Sequence, residues 1–277
     1  MTNTATNAAI RNGRVARDGD DARAQLAEAK RTLRWKHWNA LREAGGARFP
    51  GAVGRVPNFV GAEAAAERFT HMLTWQRARV VLCNPDLAQR PVRAKALREG
   101  KVVVMAVPRL AAVAPFVRLD PERASARPWE LSSIRVATER GEPLSPEDVE
   151  PVDLVVVGSV AVAADGTRLG KGGGFDDLAI ALLAETGAWA PRVPIWTTVH
   201  DSAVVRPGTI PVAAHDRRVD GFLTPTTMVP CDKPRRERLR WDWSLLSERT
   251  RREVPCVRGF PRLEGEADAT AARRRKA

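Results

Sequence analysis

Two valine-rich runs separated by one helix length constrain this chain more than any other feature. Arg79-Val80-Val81-Leu82-Cys83 closes on Asn84-Pro85-Asp86, and Lys101-Val102-Val103-Val104-Met105-Ala106-Val107 stops at Pro108-Arg109. Between them, Pro91 to Glu99 has helical spacing and ends at Gly100. Apolar runs without alternation are what strands buried on both faces require, and a strand–helix–strand unit places them side by side and parallel. A third run of this kind, Asp153-Leu154-Val155-Val156-Val157-Gly158, is the clearest strand in the chain, and Val193–Val199 and Asp220–Thr224 read as two more. The fold class predicted is α/β, a three-layer α/β/α domain with a mainly parallel, Rossmann-like sheet.

Around that frame, Ala22 to Glu43 is predicted to be a helix, with Leu26, Leu33, Trp38 and Leu41 on its apolar side and Gly45-Gly46 as its stop. Lys30 and Arg34 stand four apart and share a face of it. Residues 48–61 read as a long loop carrying Arg55, Asn58 and Phe59, Ala62–Leu73 as a helix, and 111–151 as an irregular, proline-rich connection. The domain boundaries that follow are 1–22 as a disordered N-terminal tail, 23–260 as one α/β domain, and 261–277 as a basic tail. Three cysteines without close spacing, Cys83, Cys231 and Cys256, fit neither a disulfide framework nor a zinc site. The N-terminus lacks an apolar signal core and no run approaches the roughly 20 residues of a membrane span, so a soluble, cytoplasmic protein is expected.

The net charge of +12, from 45 Lys+Arg against 33 Asp+Glu, raises two partner classes: nucleic acid, and a polyanionic small molecule. For the first, the relevant stretch is Lys233–Arg252, where arginines mix with Trp241 and Trp243. For the second it is the segment after the third strand. There Ala164-Asp165-Gly166 marks a tight hairpin, and Arg168-Leu169-Gly170-Lys171-Gly172-Gly173-Gly174-Phe175-Asp176-Asp177 leads into a helix over 175–186. Neither the phosphate-loop pattern, which needs a hydroxyl residue after the lysine, nor the dinucleotide pattern, which needs glycine at Phe175, is met. What remains is either a backbone nest for an anion, with two cations and a carboxylate beside it, or a structural glycine turn.

These residues carry a resemblance. The segment 168–177 resembles the glycine loop of the 5-formyltetrahydrofolate cyclo-ligases. Val56-Pro57-Asn58-Phe59, Cys83-Asn84-Pro85-Asp86 and Val157-Gly158-Ser159-Val160-Ala161-Val162 resemble in particular the branch named for methenyltetrahydrofolate synthetase domains. The resemblance runs from about Ala27 to Thr227. It implies a single α/β/α domain, ATP and Mg2+ as cofactors, and a reduced folate or related heterocycle as small-molecule substrate. The reaction implied transfers a phosphoryl group to the formyl oxygen of 5-formyltetrahydrofolate, after which N10 closes the ring and phosphate leaves. By the same resemblance, Lys171 and Arg168 are the catalytic residues. Lys30, Arg34, Arg168, Gly170, Lys171, Gly172, Gly173, Gly174, Phe175 and Asp177 bind ATP, Asp177 also holds the metal, and Phe59 and Asp86 contact substrate. Two positions depart from the pattern. Phe175-Asp176 stands where the enzymes carry tyrosines, in a chain that contains no tyrosine, and Asp86 stands where they carry a glutamate. A paralogue using the phosphate apparatus on another heterocycle, for example in thiamin-related metabolism, is the alternative those departures raise.

Overall fold

The computed structural model describes residues 4–213, 215–232, 243 and 246–258, with side chains from residue 21 onward. Helices α1 (Thr4–Glu43), α2 (Ala62–Glu67) and α3 (Leu73–Arg77) precede the first strand, β1 (Val80–Cys83). There follow α4 (Arg90–Arg98), β2 (Val102–Ala106), β3 (Phe116–Leu119), α5 (Pro128–Leu131), α6 (Ile134–Arg140), β4 (Glu142–Leu144) and β5 (Leu154–Gly158). The second half holds β6 (Ala161–Ala163), β7 (Arg168–Leu169), α7 (Phe175–Glu185), β8 (Ile195–Thr198), β9 (Val204–Val205), β10 (Gly221–Leu223), β11 (Met228–Pro230) and α8 (Glu248–Glu253).

Eight strands form one sheet in the order β11-β10-β8-β5-β1-β2-β3-β4. Its five central members, β10, β8, β5, β1 and β2, are parallel, and β11, β3 and β4 add antiparallel edges. The valine runs take this position because each buries both of its faces. Val80 and Leu82 of β1, with Val155 and Val157 of β5, pack on one side against α7, whereas Val81, Cys83, Leu154 and Val156 pack on the other against Phe69, Trp75, Val92 and Leu97. That period-two division, with helices on both faces, is the three-layer α/β/α architecture expected of buried parallel strands.

The chain runs from β1 to β2 on one side and returns to β5 on the other, so the strand order reverses between β1 and β5. In open parallel sheets the crevice beyond the carboxyl ends at such a reversal is where ligands are held. Here those ends deliver Asn84-Pro85-Asp86 from β1 and Gly158 from β5, tied by Asn84 N–H donating to Val156 O at 3.1 Å. Gly158 is required by proximity: a Cβ there would lie 2.7 Å from Val56 Cγ2 and 3.2 Å from Asp86 Oδ2.

Two expectations are corrected. The helix predicted from Ala22 runs from Thr4, so the backbone of the segment expected to be disordered is helical; once nucleated, an alanine-rich helix extends at one hydrogen bond per added residue. The proline-rich connection contains β3 and β4, which pair antiparallel on the sheet edge, where a ladder bond lost to Pro143 is tolerated. The hairpin around Asp165-Gly166 forms as predicted, yet it does not extend the main sheet. Its strands β6 and β7 join β9 in a separate three-stranded sheet. The expected tail from 261, and residues 233–242, 244 and 245 of the arginine–tryptophan segment, lie outside the described residues. Within that segment Trp243 and Arg251 are buried, at 7% and 2% exposure, and serve the core rather than a surface. Among the described residues no helix is long and apolar enough to cross a membrane.

Candidate functional site

The glycine segment 170–174 leaves β7 and enters α7 between two clefts of about 640 and 660 Å3. The first opens at the strand reversal and is lined by Asp86, Lys171, Gly173, Phe175 and Asp176. The second lies under α1 and is lined by Lys30, Arg34, Arg168, Gly170, Gly174 and Asp177. Gly172 borders both. The residues anticipated for an anion therefore fall on two sides of one loop.

On the α1 side, Arg34 Nε donates to Gly170 O at 2.7 Å and its guanidinium lies along Gly172, where a Cβ would meet Cζ at 3.2 Å. Gly172 has φ +105°, a conformation closed to L side chains at little cost. Replacing Gly172 with Ala is expected to destabilise the loop by about 1–2 kcal/mol, read from a denaturant melt. Burial pushes the Arg34 pKa down, and Asp216 partly offsets this. Lys30 is ion-paired with Asp216, whose Oδ2 also accepts from Ala213 N at 2.7 Å. The structure makes Asp216 the partner of Lys30, an assignment for which the sequence offers no local signal because the two are 186 positions apart.

Arg168 is almost wholly enclosed. It donates through Nη1 to Gly158 O at 2.9 Å and through Nη2 to Asp177 Oδ1 at 2.8 Å, with Asp176 Oδ2 at 3.4 Å. Burial alone would lower its pKa, but Asp177 and Asp176 outweigh that and raise it. Its Nε, buried, has no hydrogen-bond partner. Asp176 occupies the position of an expected tyrosine and is held in that ion pair. Burial pushes its carboxyl up to about 6; Arg168 opposes the shift, and Asp86 and Asp177 add to it. Asp177 also accepts from Arg217 N at 3.4 Å. On the other side of the loop, Lys171 Nζ donates to Asp86 Oδ1 at 2.7 Å, and Asp86 Oδ2 is buried without a partner.

Phe59, expected to contact substrate, lines neither cleft. It is 1% exposed, packs with Trp38, Val56 and Ala62, and meets the His200 ring edge-on at 6.2 Å. A benzyl group with no polar handle is drawn under the loop, and its neighbours Arg55, Val56 and Asn58 line the cleft instead. The remaining anticipated residues do border the two clefts.

Arg93 was not anticipated. It sits in α4 with no exposed surface, and its fork holds the turn that carries Asp86: Nη1 donates to Asn84 O and, at 3.1 Å, to Asp86 O; Nη2 donates to Pro85 O at 3.2 Å; Nε donates to Ser132 O at 2.9 Å. A basic residue between Val92 and Ala94 in an otherwise apolar helix face was the only trace of it in the sequence.

Whether nucleotide and metal fit is decided by the donors present. An orphaned buried guanidinium N–H, two lysines, a second arginine and a loop in which a Cβ at Gly172 or Gly173 would crowd its neighbours match polyphosphate charge and shape. Asp177 and Asp216 border the same cleft, and magnesium bound with nucleotide takes one or two carboxylates plus phosphate oxygens. No group of three or more ligating side chains occurs among the described residues, as that mode of binding allows.

The family model described as the 5-formyltetrahydrofolate cyclo-ligase family matches residues 20–225. Over 249 residues the chain is 33% identical to the methenyltetrahydrofolate synthase domain-containing protein of Bos taurus and 34% identical to that of Mus musculus. Each match covers 86% of this chain, with 63% and 65% of the respective relative, so the chain spans less than two thirds of those proteins. It is 32% identical to the mitochondrial 5-formyltetrahydrofolate cyclo-ligase of Arabidopsis thaliana over 85 residues, 29% of this chain and 30% of that one. Among solved structures, the NMR structure of Aquifex aeolicus 5,10-methenyltetrahydrofolate synthetase shares 18% identity and covers 77% of this chain and 96% of its own, with a TM-score of 0.47.

Proposed function

Because the chain belongs to the 5-formyltetrahydrofolate cyclo-ligase family, we propose that it is an ATP- and Mg2+-dependent ligase that closes 5-formyltetrahydrofolate to 5,10-methenyltetrahydrofolate, with release of ADP and phosphate. The observation that carries this is the loop between two clefts: it presents a cationic nest on the α1 side and one cation, Lys171, on the side of the strand reversal. A phosphoryl group passing between two bound molecules needs that arrangement, since such transfers demand positioning and charge neutralisation more than covalent chemistry.

ATP with Mg2+ supplies the phosphoryl group and part of the charge compensation when bound. On the α1 side, Lys30, Arg34 and the Nε of Arg168 would face the phosphates, Gly172 to Gly174 would offer backbone N–H groups, and Asp177 and Asp216 would hold the metal. Arg168 is both anchor and donor, because two of its nitrogens already bind Gly158, Asp176 and Asp177. On the other side, Lys171, now paired with Asp86, would neutralise phosphoryl oxygens, and the Asp86 carboxylate so released would accept from the heterocycle. Phe175, half-buried in the same wall, supplies apolar surface. Purified protein incubated with ATP, Mg2+ and 5-formyltetrahydrofolate is expected to accumulate the near-ultraviolet absorbance of the methenyl product. ATP binding without product would overturn the reaction.

One observation favours a second reading. Asp176 places a buried carboxyl, engaged with Arg168, where the family resemblance calls for a tyrosine. The same phosphate apparatus acting on another heterocycle, or binding one without turnover, would keep the nest and change this wall. The absorbance assay separates the two readings.

A further inference from the structure

The cleft under α1 contains a buried arginine that neither the glycine loop nor α1 supplies. Arg217 follows Asp216, the partner of Lys30, and lines the same cleft as Arg34 and Arg168. It is 6% exposed. Its place is fixed from two directions. The backbone N–H donates to Asp177 Oδ1 at 3.4 Å, and the guanidinium carbon lies over the buried ring of Trp189, 5.8 Å from its centroid.

The carboxylates beside it are already engaged. Asp216 is paired with Lys30, and Asp177 with Arg168. Arg34 and Arg217 are in no ion pair among the described residues. Arg34 at least donates to Gly170 O, whereas no described oxygen accepts from the Arg217 guanidinium, and its Nε is buried without a partner. The ring face of Trp189 returns part of the lost hydration but carries no net charge. Burial pushes the Arg217 pKa down, and Asp177 offsets this in part; a guanidinium nevertheless keeps its proton in a protein. A buried cation without an opposing anion is among the costliest groups a fold can retain. An anion delivered from the cleft removes that cost.

Which anion follows from the neighbour. Asp177 is the carboxylate assigned above to the metal, and a metal bound with nucleotide bridges the two terminal phosphates. Arg217, whose backbone holds the same carboxylate, therefore stands at that end of the phosphate chain. We propose that Arg217 is a phosphate-binding residue that gives this cleft its preference for a nucleoside triphosphate over the diphosphate, and that its unpaired charge is kept at a cost to the stability of the ligand-free protein. This rests on the nucleotide reading of the cleft and is independent of which heterocycle is used.

The test is calorimetric titration of the full chain with ATP and with ADP, each with Mg2+, beside denaturant melts without nucleotide. Wild type is expected to bind ATP about tenfold more tightly than ADP, as one charge-assisted contact provides. Arg217→Met should lower ATP affinity about 30-fold and ADP affinity by no more than about threefold. Its melt without nucleotide should shift to higher denaturant, because methionine packs against Trp189 with no charge to bury. A structural arginine gives the opposite shift. Arg217→Lys, which keeps the charge without the planar fork, should melt as wild type does and bind ATP with intermediate affinity. Equal affinity of wild type for the two nucleotides overturns the inference and leaves the nucleotide reading standing. So does an Arg217→Met chain that binds ATP as wild type does, that loses ATP and ADP alike, or that melts earlier or fails to fold. Failure of wild type to bind either nucleotide overturns the nucleotide reading, and the role of Arg217 with it.

Discussion

Replacing Lys171 with methionine is expected to lower kcat/KM about 1000-fold while leaving the unfolding midpoint within about 1 kcal/mol of wild type. The activity loss follows from its place. Lys171 is the one cation in the loop that faces the strand-reversal cleft, and a fixed cation at a transferring phosphoryl group contributes about 10³ or more to the rate. The small stability effect follows from exposure. The Lys171 side chain is 33% exposed, and its bond to Asp86 lies in a partly solvated cleft, where single ion pairs contribute at most about 1 kcal/mol. Lys171→Arg should retain part of the activity with a higher KM, because a planar fork does not follow charge as a flexible ammonium does. The readouts are initial rates of methenyl formation under varied 5-formyltetrahydrofolate, and denaturant melts of each variant. Wild-type turnover by Lys171→Met would remove the residue from the reaction.

Replacing Arg93 with methionine is expected to give the largest loss of stability, about 3–5 kcal/mol. The guanidinium has no exposed surface and satisfies the carbonyls of Asn84, Pro85, Asp86 and Ser132. Burial depresses its pKa, and Cys83 and Asp86 partly restore it. An apolar side chain of similar length fills the space but removes the guanidinium donors of Asn84, Pro85 and Ser132 in a region closed to water, while Asp86 O keeps the Gln89 N–H at 3.1 Å; each acceptor so orphaned costs about 1–3 kcal/mol. Arg93→Lys should recover only part of the loss, since one ammonium cannot span both the 84–86 turn and Ser132. Nearby, Arg90→Ala tests the contrast. Its guanidinium stacks on the exposed ring of Trp129 at 4.1 Å, so a cost of about 1 kcal/mol or less is expected. In the folded fraction of Arg93→Met the Asp86 turn is released, so KM for the heterocycle should rise even where kcat survives. An Arg93→Met melt matching that of Arg90→Ala would show that the turn holds itself.

How far the sequence reaches can be judged from these two residues. Lys171 was visible because its chemistry is local: the glycines that make the nest adjoin the lysine in the chain, and Asp165-Gly166 and the start of α7 frame them within a few positions. Arg93 was hidden because its function is defined by three carbonyls on a different segment, and a backbone acceptor leaves no mark in a sequence. Phe59 was misplaced for a related reason. An aromatic residue in a long loop reads equally as a stacking surface or as a plug, and only its burial against Trp38 and Val56 decides for the plug. The antiparallel strands β3, β4 and β11 were missed because strands of three or four residues near the sheet edges, of which β4 and β11 have one paired side, need neither a valine run nor alternation.

The amino-acid sequence by itself determined the parallel sheet, the helices that cover it and the glycine loop with its lysine. These depend on hydrophobic runs and backbone freedom, which are properties of neighbouring residues. Only the tertiary structure decided that the loop stands between two clefts, that Asp216 answers Lys30, that Arg93 holds the turn of Asp86, and that Arg217 lines the cleft under α1. Each depends on how elements pack rather than on neighbouring residues. Lys30 and Asp216 stand 186 positions apart, Arg93 reaches the nearby turn only once α4 is docked on the sheet, and the first cleft opens at the reversal of strand order between β1 and β5. That reversal is set by which packing buries the most apolar surface, a quantity of the whole chain rather than of any stretch of it.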